Sequence, residues 1–200
     1  KAGEAPHEHI FGEWTVTREA TCTEAGEETR SCECGETETR EIPALGHDWS
    51  GLGCTRCDEK RENPFVDVPN DSFYIDPVLW AVENGITTGM TPTTFGPTTA
   101  CNRAQVVTFL WRAAGEPEPT STENPFVDVT ETDFYYKAVL WAYENGITTG
   151  VEANRFGPTL DCNRAQAVTF LWRAMGESKA TNTENPFTDV TTGAFYYEAV

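Results

Sequence analysis

The chain has 200 residues, with 14 Lys and Arg against 32 Asp and Glu and a formal net charge of −18. Such a balance argues against nucleic acid and against an anionic lipid surface, since both partners require clustered cations. No run approaches the ~20 apolar residues of a membrane-spanning helix, so no membrane insertion is expected and a solvated, secreted protein fits the charge. Opening at Lys1 without a leader, the sequence reads as a piece of a longer polypeptide.

Residues 1–62 hold five of the seven cysteines (Cys22, Cys32, Cys34, Cys54, Cys57) and all three histidines (His7, His9, His47), and few large aliphatic side chains. A segment so polar cannot offset its chain entropy by burial alone, so disulfides or a metal should hold it together. Weak alternation at Trp14–Thr17 and Glu36–Ile42 predicts short strands. Cys32-x-Cys34 and Cys54-x-x-Cys57 approach a four-cysteine zinc spacing, with His47 as a spare ligand and Cys22 without a counterpart. Disulfides are the competing chemistry in a secreted chain.

From Asn63 onward one sentence is written twice and begun a third time, at Asn63, Asn124 and Asn185, each 61 residues from the last. A repeat of this length is a supersecondary module that completes its core against its neighbours. In the first copy, Val78, Leu79 and Val82 fall at helical spacing between Phe73 and Asn84, with Pro77 in the first turn and Gly85 as the stop. A Thr-, Pro- and Gly-rich loop follows over Thr87–Ala100. A second helix opens at Asn102-Arg103-Ala104-Gln105, a capping-box pattern, with Val106, Phe109, Leu110 and Ala113 as its apolar face and Gly115 at its end. Asn163-Arg164-Ala165-Gln166, followed by Val168, Phe170 and Leu171, repeats this. The joins Glu116–Glu123 and Glu177–Glu184 read as surface linkers. The expected units are 1–62, 63–119, 120–180 and the opening of a third repeat at 181–200.

Phe-x-Asp-Val, an aromatic pair, Trp-Ala-x-Glu-x-Gly-Ile, Phe-x-Pro and x-Arg-Ala-x-x-x-x-x-Leu-x-Arg, in order, resemble the S-layer homology module across 63–200. The resemblance implies helix-loop-helix repeats, a mainly α unit of pseudo-threefold symmetry, beside the small Cys-stabilised β-rich module. It further implies noncovalent anchoring of a surface protein, in a Gram-positive anaerobe, to an anionic secondary cell-wall polysaccharide, with Arg103 and Arg164 as principal ligands. The signature departs from the family's Thr-Arg-Ala-Glu in reading Asn-Arg-Ala-Gln at Asn102 and Asn163. Residues 1–62 resemble Cys- and His-containing repeats of gut-anaerobe surface proteins.

Read from the residues, an Arg just inside a helix start faces the positive end of the dipole, a poor place for a cation unless an anion joins it. The expected polymer contacts are Arg103, Arg164, Asn102, Asn163, Gln105, Gln166, Phe73, Phe134 and Tyr136. Arg112 and Arg173 sit in last turns, where the dipole accounts for them. Trp80, Trp111, Trp141 and Trp172 read as core. Asp67, Asp128 and Asp189 read as turn residues rather than catalytic acids, and Cys101 and Cys162 as small buried hydrophobes. No enzyme site is expected. A surface adhesin using the repeats as scaffold is the alternative, and self-association could complete the third repeat.

Overall fold

A computed structural model describes residues 8–121, 123–179 and 184–200. The chain divides into two units, one running to Asn63 with 70–76, the other comprising 64–69 and 77–200. Of the sequence readings, His7 and parts of both joins lie outside the described residues.

In the first unit, β1 (Thr15–Arg18), β2 (Gly26–Ser31) and β3 (Thr37–Ile42) form an antiparallel meander, and β4 (Trp49–Ser50) pairs with β5 (Gly53–Cys54). The two expected strands correspond to β1 and β3. The central β2 was invisible to periodicity because Gly-Glu-Glu-Thr-Arg-Ser carries no apolar residue. Its register instead sets charge against charge, Glu28 facing Arg40 and Arg30 facing Glu38, and both pairs form ion pairs. The Arg30 and Arg40 guanidinium carbons lie 4.7 and 4.2 Å from the Trp14 ring centroid. Such contacts contribute about 0.2–1 kcal/mol each. Gly26 is required by crowding, since a Cβ there would stand 2.6 Å from the Arg18 carbonyl. Among described residues 8–63 only Cys22 and Gly26 are buried, so the sheet has almost no apolar core.

The repeats supply α1 (Ile75–Glu83), α2 (Arg103–Ala113), α3 (Tyr136–Glu144), α4 (Arg164–Ala174) and a 3-10 turn at Tyr197–Ala199. The helices run nine or eleven residues, and most of each repeat is ordered loop. Gly85 and Gly146 end α1 and α3 at φ 69° and 68°, a conformation favouring glycine. From α2 the second unit's core takes Ala104, Val107 and Trp111, and from the second copy it takes Phe126, Val129, Ala138, Val139, Ala142, Ile147, Phe156 and Phe170. One copy's second helix is thus completed by the next copy, as the repeat pattern implied.

The buried face of α2 is Ala104, Val107, Thr108 and Trp111, each two positions before the expected Val106, Phe109, Leu110 and Ala113, with Arg103 buried beside them. Trp111 turns the helix inward and its indole N–H donates to Pro117 O at 2.8 Å. Trp80, by contrast, is exposed, and Trp141 and Trp172 are half-buried. Glu144 gathers the first join, accepting from the Thr120 and Ser121 backbone N–H groups at 2.9 and 2.5 Å.

Asp67 and Asp128, read as local turn residues, instead tie their segment to a loop 28 and 29 residues on. Asp67 accepts from the Phe95 and Gly96 N–H groups, both at 2.8 Å, and Asp128 from Phe156 and Gly157, both at 2.9 Å. These bonds hold the Asp67 carboxyl below its ordinary pKa. For Asp128 burial pushes upward, but the two N–H groups and nearby Arg155 outweigh it and the net shift is also downward. A carboxyl whose folded pKa lies below its unfolded value (~3.9) stabilises the fold above that value and loses the contribution as pH falls through the folded pKa. Melting temperature should therefore hold between neutrality and pH ~5 and fall below about 4. The double variant Asp67→Asn, Asp128→Asn should lose part of that acid dependence; an unchanged profile would remove these carboxyls from the account.

Candidate functional site

The entrances of α2 and α4 carry the signature residues. Asn102 Oδ1 accepts the Gln105 N–H at 2.9 Å and Gln105 Oε1 accepts the Asn102 N–H at 2.9 Å. Asn163 and Gln166 reciprocate likewise at 2.9 and 3.2 Å. Both capping boxes form, so these oxygens satisfy helix-start donors.

The two entrances are joined by backbone. Arg103 N–H donates to Leu160 O at 2.9 Å, Ala104 N–H to Pro158 O at 3.1 Å and Cys162 N–H to Cys101 O at 2.9 Å, around an antiparallel bridge of Asn102 with Asp161. The first amides of α2 are therefore occupied by the protein's own carbonyls, which corrects the expectation that they cradle an anion. Cys101, expected to be buried, is exposed, and Cys162 is half-buried.

The two signature arginines part company. Arg103 is only 3% exposed. Its Nε donates to Phe156 O at 2.9 Å, Nη2 reaches Thr148 Oγ1 at 3.5 Å, and its guanidinium carbon lies 4.9 and 5.1 Å from the Phe156 and Phe170 ring centroids. Burial draws its pKa down, against charge interactions with Cys162 and Asp128; a guanidinium so placed stays protonated. This corrects Arg103 as a groove ligand: it cross-braces the repeats. Arg164 is exposed and lines a cavity of about 440 Å³ with Phe187, Asp189 and Tyr196. Among the described residues nothing covers Arg164 as Thr148, Phe156 and Phe170 cover Arg103.

Phe73, Phe134 and Phe195 occupy one position in three copies and are 95%, 66% and 64% exposed. Each meets the following tyrosine (Tyr74, Tyr135, Tyr196) edge-on, with centroids 5.0 Å apart. Phe134 borders a second cavity of about 420 Å³ with Thr87, Thr88, Gln105 and Arg112. Arg112 Nη1 also donates to Ile86 O at 3.2 Å, as Arg173 does to Ile147 O at 3.3 Å, a structural use in agreement with the simpler reading. Tyr136, the remaining candidate, is half-buried against the core.

The expected four-cysteine set is divided. Cys54 and Cys57 meet Cys22 and His47, while Cys32 and Cys34 meet His9. Burial raises the Cys22 thiol, to about 11, helped by Cys57 and Cys54. At Cys54 burial also pushes up, but the Arg56 N–H, His47 and other donors bring the thiol down to about 6. Cys22 and His9 are the site residues that sequence reasoning passed over; Cys22 had no partner in the spacing.

Residues 64–107 and 125–168 match the S-layer homology domain family. The chain is 34% identical over 125 residues to an endoglucanase of Bacillus sp. (strain KSM-635), 32% over 117 residues to a cell surface protein of Thermoanaerobacter kivui, and 34% over 91 residues to the surface-layer 125 kDa protein of Lysinibacillus sphaericus. These matches cover 62%, 56% and 45% of this chain but only 13%, 15% and 8% of the relatives. A match to 13% of the endoglucanase carries no glycosidase activity with it. Residues 64–107 and 125–168 are S-layer homology repeats.

Proposed function

We propose that the repeats hold a secreted protein noncovalently to an anionic secondary cell-wall polysaccharide, stacking sugar faces on Phe134 and its repeat counterparts and engaging a carboxylate or phosphate through Arg164. The observation that carries this reading is the recurrence of an exposed Phe, propped by the next Tyr, at one position of three copies. A lone exposed apolar side chain needs no explanation, but three repeat-matched rings, of which Phe134 borders a cavity, suit a glycan, whose apolar faces pack on aromatic rings. Asp189 shares the Arg164 cavity, so anion recognition there relies on the rigid guanidinium fork rather than on net positive charge.

Sedimentation with wall preparations tests the reading. The chain should pellet with walls that retain their secondary polymer and stay in solution with stripped walls. Phe134→Ala and Arg164→Ala should each weaken pelleting about tenfold or more, equivalent to roughly 1.4 kcal/mol, with unchanged melting temperature. Undiminished pelleting by both folded variants overturns it.

A further inference from the structure

We infer that the amino-terminal unit is a zinc-dependent fold, with a closed site of Cys22, His47, Cys54 and Cys57 and a second site of His9, Cys32 and Cys34. In each group the ligand atoms all lie within 4.8 Å of one another. Cys22 Sγ stands 3.8 Å from Cys54 Sγ, and Cys57 Sγ 3.4 Å from His47 Nδ1. A tetrahedral zinc with Zn–S near 2.3 Å and Zn–N near 2.0–2.1 Å sets sulfur atoms about 3.8 Å apart and sulfur and nitrogen about 3.6 Å apart. Two of the six edges thus already match a zinc tetrahedron, and the other four lie within 4.8 Å. Mixed thiolate and imidazole donors in that geometry select zinc over the hard, oxygen-seeking cations.

The backbone is arranged to hold these donors. Gly46 N–H donates to Cys22 O at 3.0 Å and Leu45 N–H to Thr21 O at 2.9 Å, tying the Cys22 turn to the strand end that leads into His47. Arg56 N–H points at Cys54 Sγ at 3.4 Å inside the Cys-x-x-Cys turn, stabilising a thiolate. An open cavity of about 330 Å³ lined by Cys22, His47, Cys57 and Asp58 gives the ion a way in.

The second group repeats the plan, which is evidence independent of the interatomic distances. His47 stacks on Trp49, which pairs across the ladder with Cys54. His9 stacks on Phe11, which bridges to Cys32. His9 Nδ1 lies 3.1 Å from Cys34 Sγ. A His-x-aromatic step facing the first cysteine of a pair therefore occurs twice. With three protein donors among the described residues, the second site leaves one coordination position for water or an outside group. A sheet that buries only Cys22 and Gly26 among residues 8–63 has the need that a structural metal answers.

The test uses the full 200-residue chain, purified under reducing conditions with zinc and then desalted. Elemental analysis should find one equivalent that resists a weak chelator and a second that does not. Cobalt(II) in place of zinc should give the intense visible bands of tetrahedral thiolate coordination. Cys57→Ser should remove the tight equivalent and Cys34→Ser the weak one. Cys22→His, which keeps four donors, should retain the tight equivalent with weaker sulfur-to-cobalt absorption, separating loss of a ligand from loss of the fold. A metal-free chain with all seven thiols reactive, or one with fewer than seven thiols before reduction and no zinc, would overturn the proposal. Neither result bears on the polymer reading as tested at Phe134 and Arg164, which lie in the other unit.

Discussion

Arg103→Ala should destabilise the repeat unit by about 3–5 kcal/mol, while Arg164→Ala, the same substitution one repeat later, should stay within about 0.5 kcal/mol. The Arg103 side chain is almost wholly enclosed and fills space between the Phe156 and Phe170 rings. Truncation leaves a cavity and strips the Phe156 carbonyl of its 2.9 Å donor, and a buried orphan acceptor costs about 1–3 kcal/mol on top of lost packing. Arg103→Met keeps most of the volume without a buried charge and should cost less than the alanine change. Urea unfolding followed by tryptophan fluorescence measures all three. Equal losses for the two alanine variants would contradict the unequal burial on which this rests. Should Arg103→Met fold normally yet fail to pellet with walls, Arg103 would return as a polymer ligand.

Phe126→Ala should cost about 3–5 kcal/mol and Phe187→Ala less than about 1 kcal/mol. The residues hold one position in successive copies, yet Phe126 is 2% exposed and Phe187 51%. Phe126 packs against Phe156 at 5.7 Å between centroids and meets Tyr143 edge-on at 5.4 Å. Phe187 lines the open Arg164 cavity. Its replacement should instead change polymer binding. Stability curves for both variants decide the matter, and similar midpoints would mean that the second copy's core is not where the packing places it.

Both contrasts show what could be read without coordinates. The 61-residue period was legible as plain repetition, and the capping boxes at Asn102 and Asn163 and the glycine stops at 85 and 146 because each is a local rule acting on neighbouring residues, whereas the bonds of Asp67 and Asp128 reach 28 residues along the chain. Burial is not local. Arg103 and Arg164 have the same sequence context, and only the covering residues at 148, 156 and 170 distinguish them. The face of α2 was misjudged by two positions for a related reason: the helix is covered by both α3 and α4, so its apolar stripe is too wide for spacing alone to centre. The cysteines were paired by proximity in sequence, whereas the ladder decides. Phe11 bridging to Cys32 brings His9 to the first pair, and Trp49 beside Cys54 brings His47 to the second.

The backbone junction between the helix entrances also bears on the order in which the repeats can fold. Val107 and Trp111 gain their cover from α3, Phe156 and Phe170, and the bridge of Asn102 waits for Asp161. A chain made from its amino terminus therefore carries α2 with its inner side bare until residues near 170 are present, and the first repeat cannot lock before the second has been made.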